Sequence, residues 1–308
     1  MAAAKLRHIL ELSAQDQKAF VDSFDVVICD CDGVMWMIVT PLPRTGEAVN
    51  TLKANGKRVL FVTNNSLQTD EGYVKKFSAI GVKNFKKDDI IHPAKSMVHY
   101  LKSQNIKQPV FSLCYDTANE TLRSGGINVI TLEAPSNMQN VQTFVDITKP
   151  KQKVGAVLYD INVNLNYVQV CAATRYLKDK DCALIAAGTD WLLPMTSDFT
   201  MPGFCDTLQT IQRFTHKEAI IVSKPAALLG DIVKEIYKLK DPKRCLFIGD
   251  SMTHDIRFAL AVGFQALLVL SGSTPKEEML AADIEQQPDY YADGIADFIT
   301  LFENIANA

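Results

Sequence analysis

Two aspartates separated by one residue follow a short apolar run near the amino terminus. Asp30 comes directly after Val26–Cys29, and Asp32 and Gly33 follow it. An apolar run of this length is typical of a strand buried on both faces, so a short loop at its end can direct both carboxylates into one crevice. Two acids so close repel each other unless a divalent cation, or a raised pKa on one acid, offsets the repulsion. Mg²⁺ prefers such oxygen ligands.

This pair could hydrolyse a phosphate ester through a covalent intermediate. An ionised Asp30 bound to Mg²⁺ could attack phosphorus and form an aspartyl phosphate. Asp32 could act as acid and base, because it would protonate the departing alcohol and later take a proton from the water that hydrolyses the intermediate. Gly33 would let backbone amides approach the phosphate.

A second polar segment, residues 63–66, follows the apolar run Arg58–Val62. Thr63, Asn64 and Asn65 offer a hydroxyl and side-chain amides, and a helix start at this point would add free backbone N–H groups, all of which suit an anion. By itself this signal is weak, because Asn and Ser at a helix start are more often simple caps.

Lys224 and a later pair of acids, Asp250 and Asp255, also follow apolar runs. Lys224 could hold a phosphoryl oxygen or keep Asp30 ionised, and the alternative is a solvated lysine. Asp250 is the better metal ligand of the later pair. Asp255 could orient the groups around the metal or cap the helix that follows, and the sequence leaves both roles open.

The apolar runs alternate with helical patterns along much of the chain. This alternation predicts an α/β fold with a doubly wound, Rossmann-like parallel sheet, in which residues 219–222 form the strand before Lys224. The carboxyl ends of the strands in such a sheet lie along one edge, where ligands normally bind. We therefore expect the polar segments to converge.

A second set of strand and helix signals occupies residues 104–200. We interpret it as an inserted α/β cap domain, which leaves residues 1–103 and 201–308 as a discontinuous catalytic core. Two domains also fit the length of 308 residues, since one domain usually contains roughly 100–200 residues.

Composition disfavours several classes of partner. The net charge is −3, and acids and bases are mixed without the basic block that nucleic acid or an anionic membrane would favour. No apolar run approaches the roughly 20 residues of a membrane span. The seven cysteines form no Cys-x-x-Cys pair, which indicates reduced thiols in a cytoplasmic protein. Small-molecule or protein partners therefore fit better.

The polar segments together resemble the four motifs of the haloacid dehalogenase superfamily of phosphatases. The insertion after the second motif is similar to the large-capped branch that contains phosphoglycolate phosphatase, pyridoxal phosphate phosphatase and 4-nitrophenylphosphatases. The likeness covers nearly the whole chain. The motifs occur in the family's order as Asp30-x-Asp32-Gly33-Val34, Thr63-Asn64-Asn65, Lys224-Pro225, and Gly249-Asp250 with Asp255.

The resemblance implies further properties. The cap would close over the substrate, supply specificity and, as in many relatives, form a dimer contact, so a homodimer is one expectation. Phosphoglycolate, glycerol phosphate and pyridoxal phosphate are the candidate substrates. The Mg²⁺ ligands would be the carboxylates of Asp30 and Asp250 and the backbone carbonyl of Asp32. The phosphate ligands would be Thr63, Asn64 and Lys224.

The chain departs from the family pattern around the core acids. Gln68 and Asp70 stand where relatives usually carry Lys and Arg, which makes the surroundings of an anionic substrate more negative. These departures leave the choice of substrate open. The other departures lie in the fourth motif and in the insertion. There this chain has Ser251 in place of the usual Arg, His254 in place of Thr, Gly188 in place of Asn, and Phe204-Cys205 in place of Thr-Gly.

Residues outside the motifs have competing interpretations. Tyr159, Asp160 and Asp190 in the insertion could face the substrate or be ordinary loop residues. Trp36 could pack against a substrate ring, but large aromatic side chains more often pack in the core. The neighbouring acids disfavour the thiolate of Cys31, so packing is a better interpretation than a redox role.

The sequence therefore predicts a magnesium-dependent phosphatase that hydrolyses small-molecule phosphate monoesters. The alternative is a phosphate-sensing or scaffold protein of the same fold with vestigial turnover, which the replaced residues motivate. A dinucleotide-binding oxidoreductase is disfavoured because no Gly-x-Gly-x-x-Gly follows an apolar run.

Overall fold

The computed structural model describes residues 6–37, 40–135, 137–138, 140–196 and 199–308. The strands, in chain order, are β1 Arg7–His8, β2 Val26–Cys29, β3 Trp36–Met37, β4 Thr40–Pro41, β5 Arg58–Val62, β6 Ile90–Ile91, β7 Val110–Ser112, β8 Val129–Ile130, β9 Ala156–Tyr159, β10 Ala183–Ala186, β11 Leu192–Thr196, β12 Phe199–Pro202, β13 Ile220–Ile221, β14 Cys245–Gly249, β15 Gln265–Val269 and β16 Tyr290–Ala292.

The helices follow the same order along the chain. They are α1 Ala14–Asp22, α2 Thr45–Ala54, α3 Asp70–Ala79, α4 Pro93–Ser103, α5 Asp116–Ser124, α6 Val141–Ile147, α7 Tyr167–Tyr176, α8 Cys205–Thr215, α9 Ala227–Tyr237, α10 Arg257–Val262, α11 Lys276–Ala281 and α12 Asp297–Ala306. No helix in the described ranges is long and apolar enough to cross a membrane.

The chain divides into two compact units. The first contains Met1–Thr63, Asp70–Ile91 and Lys224–Ala308, and the second contains Asn64–Thr69 and His92–Ser223. Each unit has a parallel sheet with helices. The predicted α/β fold class is therefore confirmed.

The sheet of the first unit has seven parallel strands in the order β1-β16-β15-β14-β2-β5-β6. From β2 the chain proceeds through β5 to β6 on one side, and on the other side it proceeds from β14 through β15 to β16. The order therefore reverses between the neighbours β2 and β14. A reversal of this kind opens a crevice beyond the carboxyl ends of the two strands, which is where ligands bind in open α/β sheets.

Strand β2 is apolar throughout because both faces of the sheet are covered. Val27 and Cys29 belong to an apolar cluster on one face, together with residues of α1, α2 and α12. Ile28 points to the other face and joins a second cluster with residues of α9 and α10. Full burial of an aliphatic side chain of this size stabilises a fold by roughly 1.5–3 kcal/mol. The strand ends that follow are therefore firmly placed.

The sheet of the second unit has the order β13-β10-β9-β7-β8 and is also parallel. Our assignment of residues 219–222 to the core sheet was wrong, because β13 pairs with β10 through Ile185 and Ile220. An apolar run identifies a strand but not its partner. Lys224 consequently follows a strand of the second sheet, although Lys224 itself belongs to the first unit.

The second compact unit extends beyond the predicted insertion 104–200 on both sides. On the amino-terminal side, α4 packs against α5, and on the carboxyl-terminal side α8 packs against α7. The segment Asn64–Thr69 also belongs to this unit, and the hydroxyl of Thr117 donates to the carbonyl of Ser66 (2.8 Å). A cap domain with limits at 104 and 200 stays a prediction.

Candidate active site

Asp30 and Asp250 occupy equivalent positions at the reversal point of the first sheet. Asp30 follows the last residue of β2, and Asp250 follows the last residue of β14. The strands are in parallel register with Cys29 opposite Ile248, and the N–H of Asp30 donates to the carbonyl of Ile248 (2.8 Å). The backbone ladder thus continues into the loop and delivers both acids to the same place.

Lys224 connects Asp30 to another buried acid. Its Nζ lies 2.8 Å from Oδ1 of Asp30 and 2.7 Å from Oδ1 of Asp255. The residue is only 2% exposed, so the alternative of a solvated lysine is wrong. Burial by itself would lower the pKa of Lys224, but the charges of Asp255 and Asp30 outweigh burial and raise the pKa above its ordinary value. The ammonium is therefore a fixed positive charge beside Asp30.

The three acids form a candidate cation site. Carboxylate oxygens of Asp30, Asp250 and Asp255 lie within 4.8 Å of one another. Burial raises the pKa of Asp30 well above its ordinary range; Lys224 opposes this effect, and the other two acids add to it. Burial, with the charge of Asp255, also raises the pKa of Asp250 to about 6. One ammonium does not balance the charge of three carboxylates. A hard divalent cation such as Mg²⁺ would supply the missing positive charge, and it prefers carboxylate oxygens as ligands.

Asp255 orients the backbone that carries Asp250. Its Oδ2 accepts hydrogen bonds from the N–H groups of Asp250 and Ser251, both at 3.0 Å, while Oδ1 faces Lys224. The helix-capping alternative for Asp255 is wrong, because a wide helical turn begins at Met252 and Ser251 caps it. Both oxygens of Asp255 are thus engaged by the protein, which leaves Asp30 and Asp250 as the better metal ligands.

A loop after β15 that the sequence interpretation missed holds the same segments. The hydroxyl of Ser271 donates to the carbonyl of Gly33 (2.7 Å), and the N–H of Ser273 donates to Oδ2 of Asp250 (2.6 Å). Gly272 lies so close that a Cβ there would be 2.2 Å from Oδ2 of Asp250. The available signal was that this loop directly follows residues 267–270, an apolar run typical of a buried strand.

Gly33 lets the loop after β2 pass beside Asp250. Its φ is +82°, and a Cβ at this position would lie 2.4 Å from Cγ of Asp250. Both the left-handed backbone and the close approach require glycine. The predicted approach of its backbone amide to a phosphate stays a prediction.

Thr63 follows β5 and is buried next to α3. Burial raises the pKa of Tyr73 on that helix well above its ordinary range, and a hydrogen bond with the side chain of Thr63 opposes this effect. The predicted helix start at 63–66 is wrong, because α3 begins at Asp70. In the intervening loop the carbonyl of the Asn65 side chain accepts from the N–H of Leu67 (2.9 Å). Such a turn satisfies the backbone locally and replaces the helix start.

The remaining predicted site residues belong to the second unit. Asn64 and Asn65 lie in its segment Asn64–Thr69, and their role as phosphate ligands stays a prediction. Tyr159 and Asp160 are buried, and Asp190 is half-buried. The specificity role of these three residues also stays a prediction.

The two buried residues are held inside the second unit by hydrogen bonds. The hydroxyl of Tyr159 donates to the carbonyl of Phe204 (2.6 Å), and Oδ1 of Asp160 accepts from the N–H of Ile161 (2.8 Å). Burial is the main reason that the pKa of Asp160 rises to about 7. Both side chains are fully buried.

Asp32 is half-buried, and its Oδ1 accepts a hydrogen bond from the indole N–H of Trp36 (3.0 Å). Trp36 is 1% exposed, which confirms core packing and adds a polar contact that the sequence did not predict. Cys31 is fully buried, and burial together with the charge of Asp30 raises the pKa of its thiol well above the ordinary range. This agrees with the interpretation of Cys31 as a packing residue.

Comparison with known proteins identifies the family. Residues 27–128 match the haloacid dehalogenase-like hydrolases, and residues 221–298 match a family described as HAD-hydrolase-like. A 4-nitrophenylphosphatase of Schizosaccharomyces pombe is 31% identical over 291 residues, which cover 92% of this chain and 96% of the relative. The chain belongs to the haloacid dehalogenase-like hydrolases.

Other relatives of this haloacid dehalogenase-like hydrolase agree on enzyme class and fold. Phosphoglycolate phosphatase 2 of Arabidopsis thaliana is 28% identical, with 95% of this chain and 98% of the relative covered. The p-nitrophenyl phosphatase from Archaeoglobus fulgidus has the same fold, with a TM-score of 0.76, 23% identity, and 90% of this chain and 99% of that chain covered. The predicted enzyme class, a phosphatase, is confirmed.

Replacement of Lys224 tests the buried ion pairs. In Lys224→Met two buried carboxylates lose their cation, and we expect the free energy of unfolding to fall by about 3–5 kcal/mol. Loss of the ammonium also raises the pKa of Asp30 further, so at low pH Asp30 is buried in its neutral form, which tolerates burial better. The decrease in the free energy of unfolding should therefore be smaller at about pH 5 than at about pH 8. Urea unfolding of the metal-free protein measures both effects.

Lys234→Met is the matched control, because Lys234 pairs with the exposed Asp231 one helical turn away (2.8 Å). An exposed pair contributes about 0–1 kcal/mol. Equal destabilisation by the two variants would contradict the importance of the buried pairs.

Replacement of Gly33 tests the close approach to Asp250. Gly33→Ala should lower kcat/KM for 4-nitrophenyl phosphate about 10²-fold, because a displacement of the acids by about 1 Å can have an effect of this size. Gly56→Ala is the control, since Gly56 has a similar φ of +79° but open space around the new methyl group. Similar activity of the two variants would argue against crowding at Asp250.

Proposed function

We propose that this phosphatase hydrolyses small-molecule phosphate monoesters with Mg²⁺ through an aspartyl phosphate on Asp30. The observation that carries the proposal is the buried group of Asp30, Lys224 and Asp250 at the reversal point of a parallel sheet. A carboxylate in this position has a fixed cation on one side and a second acid on the other. It is therefore suited to act as a nucleophile once it is ionised.

The residues present fit a divalent cation. Asp30 and Asp250 would hold Mg²⁺ through their carboxylates and Asp32 through its backbone carbonyl, with Asp255 holding the backbone of Asp250. When bound, Mg²⁺ would neutralise charge on the phosphoryl oxygens and favour the ionised form of Asp30.

In the first step a carboxylate oxygen of Asp30 forms a bond to phosphorus while the bond from phosphorus to the ester oxygen breaks. The electron pair of the broken bond stays on the ester oxygen, which takes a proton from Asp32 and leaves as an alcohol. Lys224 stays protonated and compensates the charge near Asp30. The products of this step are the aspartyl phosphate and the ionised form of Asp32.

In the second step a water molecule gives a proton to Asp32 and forms a bond to phosphorus. The bond between phosphorus and the Asp30 oxygen breaks, so inorganic phosphate leaves and the carboxylate of Asp30 returns. Asp32 again holds a proton for the next ester. Thr63, Asn64, Asn65, Lys224 and the backbone of Gly33 would bind the phosphoryl oxygens during both steps.

The substrate would be a small phosphorylated metabolite. Relatives are named for phosphoglycolate and for 4-nitrophenyl phosphate, so phosphoglycolate is a candidate, with glycerol phosphate and pyridoxal phosphate as the others. Tyr159, Asp160 and Asp190 are our candidates for specificity. A homodimer through the cap and a cytoplasmic location also stay predictions.

Replacement of the nucleophile tests the reaction. Asp30→Asn should reduce hydrolysis of 4-nitrophenyl phosphate by at least about 10⁴-fold, because an amide oxygen cannot form the covalent intermediate. Excess chelator should abolish the activity of the wild-type chain, and added Mg²⁺ should restore it. Unchanged turnover in Asp30→Asn would contradict the proposal.

Thermal unfolding tests the metal site without turnover. Mg²⁺ at about 100 times its Kd should stabilise the wild-type chain by about 2.7 kcal/mol, and the melting temperature should rise. Asp250→Asn should lose most of this rise, whereas Asp231→Asn on the exposed face of α9 should keep it. A phosphate sensor of the same fold would show stabilisation by Mg²⁺ and phosphate without any hydrolysis.

A further inference from the structure

We propose that Trp36 is a positioning residue that fixes the proton of Asp32 on Oδ2, where it can pass to the leaving group. The inference rests on the proposed acid and base role of Asp32. Its structural basis is the hydrogen bond from Nε1 of Trp36 to Oδ1 of Asp32 (3.0 Å).

The loop between the two residues is closed by the backbone. Asp32 and Trp36 pair as a single β-bridge, and the N–H of Gly33 donates to the carbonyl of Trp36 (2.7 Å). The N–H of Met35 donates to the carbonyl of Cys31 (2.8 Å). The indole and the carboxylate are therefore held near each other by the same short turn, and their contact does not depend on a long flexible side chain.

Helix α3 holds the indole ring from the other side. Phe77 meets Trp36 edge to face, with 5.0 Å between ring centroids. The ammonium of Lys76 lies 3.8 Å from the centroid of the indole ring. A cation over the ring withdraws electron density from it and strengthens the N–H as a donor. The orientation of the indole is thus fixed by packing and by charge.

The chemistry of the indole decides which oxygen of Asp32 carries the proton. An indole N–H can only donate, so Oδ1 has to accept, and the proton of the neutral acid is favoured on Oδ2. Breaking this hydrogen bond would leave a buried indole N–H without an acceptor, at a cost of about 1–3 kcal/mol. The contact should therefore persist when Asp32 changes its protonation state. Oδ2 therefore gives its proton to the ester oxygen in the first step and receives one from water in the second.

The first test is the hydrogen bond itself, measured without turnover. The chain contains two tryptophans, so the indole ¹H–¹⁵N spectrum has two side-chain signals, and Trp191→Phe assigns them. Asp32→Ala should move the Trp36 signal upfield in ¹H and leave the signal of the exposed Trp191 in place. An unchanged Trp36 signal would refute the inference whether or not the chain hydrolyses any ester.

The second test measures proton delivery with three esters, 4-nitrophenyl, phenyl and 2-phenylethyl phosphate. Their leaving groups need a proton increasingly in that order. Trp36→Phe keeps a ring but removes the donor, so its loss of kcat/KM should grow along the series and be at least about tenfold larger for the alkyl ester than for the nitrophenyl ester. Lys76→Met should show the same trend with a smaller loss.

Two comparisons separate positioning from packing. Phe77→Leu loosens the contact with the indole ring but keeps its N–H, so any loss should be equal for the three esters. Asp32→Asn should show a steeper trend than Trp36→Phe, and the double variant should add nothing to Asp32→Asn. Equal losses for the three esters in Trp36→Phe, or additive losses in the double variant, would overturn the inference.

Absence of hydrolysis in the wild-type chain would instead defeat the proposed function. The indole spectrum would still decide whether Trp36 holds Asp32. The two failures are therefore distinguishable.

Discussion

The ammonium of Lys224, buried between the carboxylates of Asp30 and Asp255, is the interaction on which the rest of the site depends. Its distances of 2.8 Å and 2.7 Å leave no room for water between the charges. Removal of one partner from a buried pair typically costs about 3–5 kcal/mol, because the remaining charge has lost its compensation. The chain must therefore bring three distant segments together whenever the first unit folds. Asp250 adds a further acid to this group, and this excess of negative charge is the reason that we propose a divalent cation here.

The sheet meets this requirement through its backbone. Parallel pairing of β2 with β14 places Asp30 and Asp250 side by side, and the apolar clusters on both faces fix the ends of these strands. Three glycines then allow the backbone to approach the acids more closely than any side chain would permit: Gly33, Gly249 and Gly272. Backbone N–H groups, which have little freedom to move, supply most of the contacts to Asp250 and Asp255. Preorganised dipoles of this kind favour charge development without further rearrangement.

The sequence predicted the features that leave a distinctive pattern. Apolar runs followed by acids indicated that strands end at Asp30 and Asp250, because a strand buried on both faces is apolar and ends where polar residues begin. Parallel strands end at the same edge of the sheet, so the two acids were expected to meet there. The same runs could not show that residues 219–222 pair with β10, since pairing depends on contacts distant in the chain. The prediction of a helix start at 63–66 was wrong, because the side chain of Asn65 accepts a hydrogen bond from the backbone N–H of Leu67 and forms a turn instead. Ser271 and Ser273 went unnoticed because serine is common in loops and its hydrogen bonds depend on position.

The altered residues of the fourth motif bear on whether the chemistry is retained. Ser251 stands where relatives usually carry an arginine, yet its contact with Asp255 is made by the backbone N–H, which any residue other than proline supplies. The Ser251 side chain instead caps the helical turn that follows. Relative to those proteins, the replacement therefore removes a positive charge without removing a contact to Asp255. It leaves the buried group of Asp30, Lys224 and Asp250 in place, which favours a change in the proposed substrate over a loss of the proposed chemistry.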